Sequence, residues 1–548
     1  MKKYIYAFSV LATTVAFTGC AGLDTESEGR YITEEQISET NAAIPTRSES
    51  AVVGMYTYLG KSYAARPNQT RADDGGYPTI CIQQDSNGAD MVCANSGYNW
   101  FTPAADLTDR NYTYASCFER YAVFYNQIKL ANDLIATIDP ATTDKSAMYV
   151  LGQAKAVRAF DYLCLAPYYQ FNYQTSADKP CVPIVTEATS DFGHNPRATV
   201  KEVYELIMSD LNSAAELLAD FNRNGDNSRV DISVVYGLRA RANLYMGNYA
   251  EAAADAEKAL VGYTPYSREE VSVPAFCDRG DHNWIWAIDI DKNTVKISPT
   301  TGAQLGSFSG DSYTAACGVY KRINTLLYNK IPASDVRKGW WVDEKLHSDN
   351  LKNVVWVNTT TNERIEGDAI CTYTFKDKVK FLPYTNVKFG MYSGIGSAIN
   401  DNDWPLMRAE EMILIKAEGL AMSGKLAEGK AVLEDFVKKY RDPEYTCKAA
   451  SAEEMQNEVW FQRRVELWGE GFSMTDIMRL NKPIVRFHGT NTENWPDAFC
   501  FNVAAGDAWL LLRIPQNEIN ANSSIVQNEG GSAPVSMQNP NLTDGVTD

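Results

Sequence analysis

Apolar residues recur at helical spacing in several long blocks. Over residues 115–138, Phe118, Tyr121, Tyr125, Ile128, Leu130 and Leu134 form one stripe, and Asp139-Pro140 ends it. A second block over 147–169 carries Ala154, Val157, Phe160, Tyr162, Leu163 and Leu165, and Pro167 predicts that this helix stops near Leu165. Thr199-x-x-Glu202 is a capping box opening a helix over 201–218. Residues 231–246 and 249–260 form a helical pair that turns at Gly247-Asn248. Residues 404–422 and 426–440 form another, turning at Gly424, and 452–468 continues it. The two pairs share a pattern: Leu244-Tyr-Met-Gly-Asn-Tyr-Ala-Glu beside Ala421-Met-Ser-Gly-Lys-Leu-Ala-Glu, with glycine at the corner and small residues where helices cross. This is a degenerate tetratricopeptide-repeat signature.

Between these blocks the pattern changes. Residues 60–114 and 263–400 are rich in Gly, Asn, Thr, Ser, Asp and aromatics, with short alternating runs such as Trp284-Ile-Trp-Ala-Ile-Asp-Ile290 and Val379-Lys-Phe381. Loops of this length carry function or small strands of their own. Near the end, Phe461-Gln-Arg-Arg-Val-Glu-Leu-Trp-Gly-Glu-Gly-Phe-Ser-Met-Thr-Asp-Ile-Met-Arg-Leu-Asn-Lys482 interleaves charges with apolar residues. Gly469-Glu470-Gly471 breaks it into two short helices, and the spacings Arg463/Glu466 and Asp476/Arg479 allow each pair to meet on one face.

Hydrophobic residues at 45% and charged residues at 22% describe a folded body rather than a disordered chain. The formal charge of −18 argues against a phosphate backbone as partner. The spacings of the 11 cysteines outline no disulfide framework, and Cys164 and Cys317 read as buried thiols. The four histidines, His194, His282, His347 and His488, have no metal-ligand spacing, so neither a metal nor a cofactor is expected. Asn222-Arg-Asn-Gly-Asp-Asn227 lacks the downstream acidic residue of a calcium loop and reads as a polar turn. No nucleophile elbow, HExxH, P-loop or GxGxxG after a strand occurs, although the 69 acidic residues leave a paired-carboxylate glycosidase open.

The N-terminus is a secretory signal: Lys2 and Lys3, an apolar stretch over 4–17, then Thr18-Gly19 before Cys20. A cysteine at the cleavage point resembles a bacterial lipobox, which implies removal of residues 1–19 and lipid on Cys20. Several acyl chains on one residue suffice for stable anchoring, and no later apolar run is long enough to span a bilayer. The polar, acidic segment after Cys20 reads as a tether.

Taken together, several motifs resemble the SusD/RagB family of nutrient-binding outer-membrane lipoproteins. The block containing Arg463, Arg464, Glu466, Leu467, Glu470, Gly471, Asp476 and Arg479 is similar to that family's C-terminal pattern, with Gln462 in place of a glutamate and Ser473 where arginine is common. Arg158-Ala159, Pro183-Ile-Val185, Arg197-Ala-Thr199-Val200, Arg408-x-x-Glu411 with Ala417-Glu418, and Ile514-Pro515-x-x-Glu518-Ile519 with Gln527-Asn528 extend the resemblance over most of the chain. The resemblance implies a mainly α SusD-like fold: a tetratricopeptide-repeat-like helical scaffold (115–262 and 404–480) and a loop-rich, partly β variable region (60–114 and 263–400). Residues 20–59 form a tether and N-terminal segment, and 481–548 a closing segment. It also implies a non-catalytic, lipid-anchored outer-membrane protein that captures oligosaccharides at the cell surface and delivers them to a SusC-like TonB-dependent transporter. The alternatives are a surface glycoside hydrolase, a pure interaction scaffold, and the same family binding peptides.

Sugars lay their apolar ring faces on flat aromatic side chains while polar groups bond the hydroxyls. With aromatics at 11% of residues, those in the loop regions are the candidate ligand contacts: Tyr77, Tyr98, Asn99, Trp100, Trp284 and Tyr313, with Trp286, Trp340 and Trp341 as further aromatics. Asp85-x-Asn87-Gly88-x-Asp90 precedes the Tyr98-Asn99-Trp100-Phe101 cluster. Glu411 and Glu418, seven apart on one helical face, are assigned to scaffold ion pairing.

Overall fold

The computed structural model describes residues 45–96, 100–290, 292, 304–310, 314, 317–358, 361–373 and 380–548, with side chains described from residue 49 onward. The signal segment, Cys20, Tyr98, Asn99, Tyr313 and Val379 lie outside the described residues.

The principal helices are α1 (Pro45–Tyr58), α2 (Tyr77–Asn87), α3 (Ala115–Ala136), α4 (Lys145–Tyr169), α5 (Val200–Leu217), α6 (Ile232–Met246), α7 (Tyr249–Ala259), α8 (Ala409–Met422), α9 (Leu426–Tyr440), α10 (Ala452–Glu466) and α11 (Ser473–Arg479). From α3 to α9 each helix packs on the next, giving a continuous array of antiparallel pairs. The predicted capping box is present: Thr199 Oγ1 accepts from Glu202 N at 3.2 Å, and Glu202 accepts from Thr199 N at 2.7 Å. Asp231 caps α6, and Gly247, at φ +79°, makes the left-handed turn into α7. Small residues do what the repeat pattern requires of them. A Cβ on Gly419 would lie 2.5 Å from Tyr249 O, and one on Gly429 2.6 Å from Ala417 O, so α7/α8 and α8/α9 approach backbone to backbone.

Four short antiparallel ribbons complete the fold, the longest pairing Trp284–Ile288 with Trp404–Arg408. That pairing revises the expected helix over 404–422: residues 404–408 are a strand, because Pro405 disfavours the helical region at Trp404. Pro167 does not end α4, which runs on to Tyr169. Its last turn is held by burial of Tyr168 and Tyr169 and by the bond from Leu512 N to Tyr168 O at 2.7 Å. The largest revision is α2, which lies in a stretch read as loop. All eleven of its residues are buried, including Gln83, Gln84, Asp85, Ser86 and Asn87, so it shows no apolar stripe against a polar face.

Among the described residues no cysteine forms a disulfide, and Cys164 and Cys317 are partly exposed rather than buried. Residues 222–227 form a turn with Gly225 at φ +78° and Asn222 Oδ1 accepting from Asn224 N. No described helix is long and apolar enough to cross a membrane.

Candidate functional site

The charged block at 461–482 folds into the interior. Glu466 accepts from Arg441 Nε at 2.8 Å and Arg337 Nη1 at 3.3 Å, and its other oxygen meets Arg441 Nη2 at 2.9 Å and Arg408 Nη1 at 3.4 Å. Glu470 takes Arg408 at 2.8 Å and Lys388 at 2.7 Å, Glu410 bridges Arg408 and Arg441, and Asp335 holds Arg337. Burial alone pushes the Glu466 carboxyl up, but Arg441, Arg408 and Arg337 outweigh it and hold it well below the usual carboxylate range. Four cations and four carboxylates thus balance in the core, an arrangement that orders a fold and leaves nothing free for a ligand. The expected Arg463–Glu466 pair does not form, since Glu466 is saturated by other arginines. Arg463 turns instead to Asp476 at 2.7 Å, which also takes Arg479 at 2.7 Å. Arg479 reaches Glu418 at 2.6 Å and Arg241 reaches Glu411 at 2.6 Å, so both helix glutamates are scaffold ion pairs.

Several aromatics chosen from sequence are core residues. Trp284 and Trp286 are fully buried in the strand beside α4, the Trp286 ring lying 4.9 Å from Phe160. The Tyr77 ring packs edge-on to Phe124 and tilted on Phe160, leaving no face for a sugar. Tyr77 and Trp284 are therefore corrected from ligand contacts to packing residues. The acidic run before Trp100 is structural too. Asp85 accepts from Gly471 N and Ser473 N, with burial pushing its carboxyl up to about 7, and Asp90 chelates Arg464 at 2.7 and 2.9 Å. Asn87 bonds Arg120 and Asp109.

Trp100 differs. It is partly open to solvent, its indole N–H has no partner, and the Arg71 guanidinium sits 5.3 Å from its ring centroid. Arg71 forms a fork with Asp73 at 3.0 and 2.7 Å and lies 3.1 Å from Glu119. Arg66 covers the ring of Phe118, also partly open, at 5.0 Å and stands 3.8 Å from Glu119. Asp74 is fixed by the backbone N–H groups of Ala65 and Arg66. Burial pushes Asp73 up, and burial together with Asp73 pushes Glu119 up to about 8. The outcome is an aromatic surface with charged, directional groups at its edge, supplied by the 60–76 loop, Trp100 and the first turn of α3. Sequence reading missed Arg66, Arg71, Asp73, Phe118 and Glu119. The available signal was Arg71-Ala-Asp73-Asp74 beside Gly75-Gly76, and a glutamate at 119 next to the helix stripe.

A polar cleft of about 410 Å³ lies elsewhere, lined by Arg268, Tyr328, Lys338, Trp341, Asp343 and His347 among others. Its aromatic faces are occupied: Trp341 meets Trp468 edge-on at 5.5 Å, and Lys338 covers Tyr328 at 4.8 Å. Trp340 is likewise fully buried.

Two family models match the chain, one described as "SusD family" over residues 324–530 and one as "Starch-binding associating with outer membrane" over residues 47–244. Among named relatives, SusD-like protein P2 of Formosa agariphila is 24% identical, the match covering 97% of this chain and 100% of the relative. SusD-like protein P38 of the same organism is 24% identical over 69% of this chain and 76% of its own length. Of solved structures, a SusD-like carbohydrate binding protein from Bacteroides vulgatus superposes with a TM-score of 0.70 at 21% identity, covering 89% of this chain and 98% of that one. A SusD superfamily protein from Bacteroides thetaiotaomicron gives 0.67 at 20% identity, covering 88% and 99%.

Proposed function

Because the chain belongs to the SusD family, we propose that it is a non-catalytic glycan-binding protein of the outer membrane, with Trp100 at the centre of its ligand surface. The observation that carries this reading is the combination at Trp100 of a partly open indole and a fixed arginine–carboxylate edge. Such a surface stacks on the apolar face of a sugar ring and bonds its hydroxyls. The family description, starch binding in association with the outer membrane, supports the same class of ligand.

Lipid on Cys20, removal of residues 1–19, exposure at the cell surface and hand-over to a SusC-like TonB-dependent transporter are parts of the same proposal. They are supported by the N-terminal sequence and by family membership. On this reading the variable segments, 60–114 and 263–400, carry the ligand face, while the buried charge network belongs to the scaffold.

Calorimetry against a panel of oligosaccharides tests the site. Binding by the wild type that is lost in Trp100→Ala, with an unchanged melting curve, is the expected result. Release of free sugars during the incubation would instead make the protein a hydrolase. Gentle detergent extraction tests the partner: a TonB-dependent barrel is expected to co-purify, and its consistent absence would remove the transporter from the proposal.

A further inference from the structure

The Trp100 surface brings together five charged side chains, two arginines and three carboxylates, with Asp74 held by the backbone N–H groups of Ala65 and Arg66. Arg71 spends its fork on Asp73 and its remaining edge on Glu119 and the Trp100 ring. Arg66 donates to Gln69 Oε1 at 3.1 Å, faces Glu119 and lies on Phe118. Asp73 and Glu119 are almost wholly buried, with side chains 0% and 2% exposed, whereas the arginines remain about a quarter open at 28% and 24%. The carboxylates therefore form the fixed layer, and the cations lie over it already neutralised.

Resting on the assignment of Trp100 as the ligand surface, we infer that this site selects uncharged glycans and rejects uronate-bearing and sulfated ones, because Asp73 already occupies the Arg71 fork and the cluster's own carboxylates balance both arginines. A ligand carboxylate or sulfate would have to displace Asp73 from the Arg71 fork, stranding a buried charge. If it did not, it would lie beside the Asp73 and Asp74 carboxylates with no unbalanced cation to meet it. Neutral hydroxyls meet no such obstacle. They can accept from the outward edges of the two guanidinium groups, which stay about a quarter open. The proton that burial keeps on Glu119 brings the cluster to neutrality without creating a free cation.

The test uses the full-length mature protein at pH 7 and low salt. The probes are neutral hexasaccharides (maltohexaose, cellohexaose, xylohexaose, mannohexaose), oligogalacturonate and oligoalginate of matched length, and sulfated carrageenan oligosaccharides. The tightest ligand is expected among the neutral probes, with every anionic probe bound at least tenfold more weakly. Asp73→Asn, which frees the Arg71 fork, is expected to raise uronate affinity about tenfold. If that variant does not fold, the wild-type ranking alone decides. Tight uronate or sulfate binding that disappears in Trp100→Ala overturns the charge rule and leaves the site assignment standing. Glycan binding untouched by Trp100→Ala overturns the site assignment, and no binding to any probe overturns both.

Discussion

Asp161 offers the sharpest physical test of the interior. It lies on α4 with no exposed surface, neither carboxyl oxygen has a hydrogen-bond partner, and no cation offsets its burial. Burial alone pushes its carboxyl well above the usual range. The sign follows: a raised folded-state value means the native protein binds a proton that the unfolded chain releases above about pH 3.9, so the contribution is complete below that pH and is lost as pH rises toward the folded value. At any pH between the unfolded and folded values, holding that proton costs about 1.4 kcal/mol for each pH unit above the unfolded value. Asp161→Asn keeps the shape and removes the titration. Its stability relative to wild type should therefore improve as pH rises above the unfolded value, by about 1.4 kcal/mol per pH unit until the folded value is reached, read from urea denaturation followed by tryptophan fluorescence. The absolute difference at pH 5 is less informative, because the amide is as poorly partnered as the acid. Parallel pH profiles for the two proteins would refute the claim that a neutral, unpartnered carboxyl sits in the core.

Arg486 is fully buried with no carboxylate; it donates to the carbonyls of Ser86, Asn87, Gly88, Ala105 and Phe499, and burial pushes it down to about 9. Arg486→Met should cost at least about 3 kcal/mol in chemical denaturation, and Arg486→Lys should fail to restore it, having too few donors. Glu466→Gln leaves Arg337, Arg408 and Arg441 short of a counter-charge and should destabilise by about 3–5 kcal/mol at pH 7. Since the Glu466 carboxyl is held low in the folded state, its stabilisation is present above about pH 4.5 and lost in acid, so this variant should also show a flatter acid-unfolding limb. Gly419→Ala puts a methyl against Tyr249 O and should cost about 1–3 kcal/mol, seen as a lower melting temperature with unchanged far-UV circular dichroism.

The parts of the fold legible in the sequence are those where one face of a helix differs from the other. The α6/α7 pair, α9, the C-terminal end of α8, the glycine corners and the Thr199 cap lie within a residue or two of where periodicity puts them, while α8 starts five residues later, after the 404–408 strand. Legibility fails where burial is complete on every side. Helix α2 carries Gln83, Asp85 and Asn87 into the core because each finds a partner there, and a polar residue satisfied by a distant chain segment looks from sequence like a loop residue. The same failure misplaced the aromatics. Trp284 and Trp100 are equally plausible platforms in a composition count, and only packing shows that the first is sealed in the core and the second partly open. The arginines at Trp100 were invisible for a further reason: their partner Glu119 lies some fifty residues along the chain, and no local pattern records that meeting.

The family signature and the proposed ligand surface are connected through α2. Its C-terminal end is clamped by the signature block, Asp85 by the backbone of Gly471 and Ser473, Asp90 by Arg464, and the last carbonyls by Arg486. Its N-terminal end is fixed where Tyr77 N bonds Leu59 O and Gly76 adopts φ +70°, a close approach that a Cβ would block at 2.1 Å from Leu59 O. The segment entering α2 carries Arg66, Arg71, Asp73 and Asp74; the segment leaving it leads to Trp100. A buried rod thus sets the two halves of the surface relative to each other, and Arg71, held beside Glu119 of α3, joins them by lying over the Trp100 ring. Residues on these two segments can change without touching the clamps, so ligand preference can diverge while the charge network stays the same.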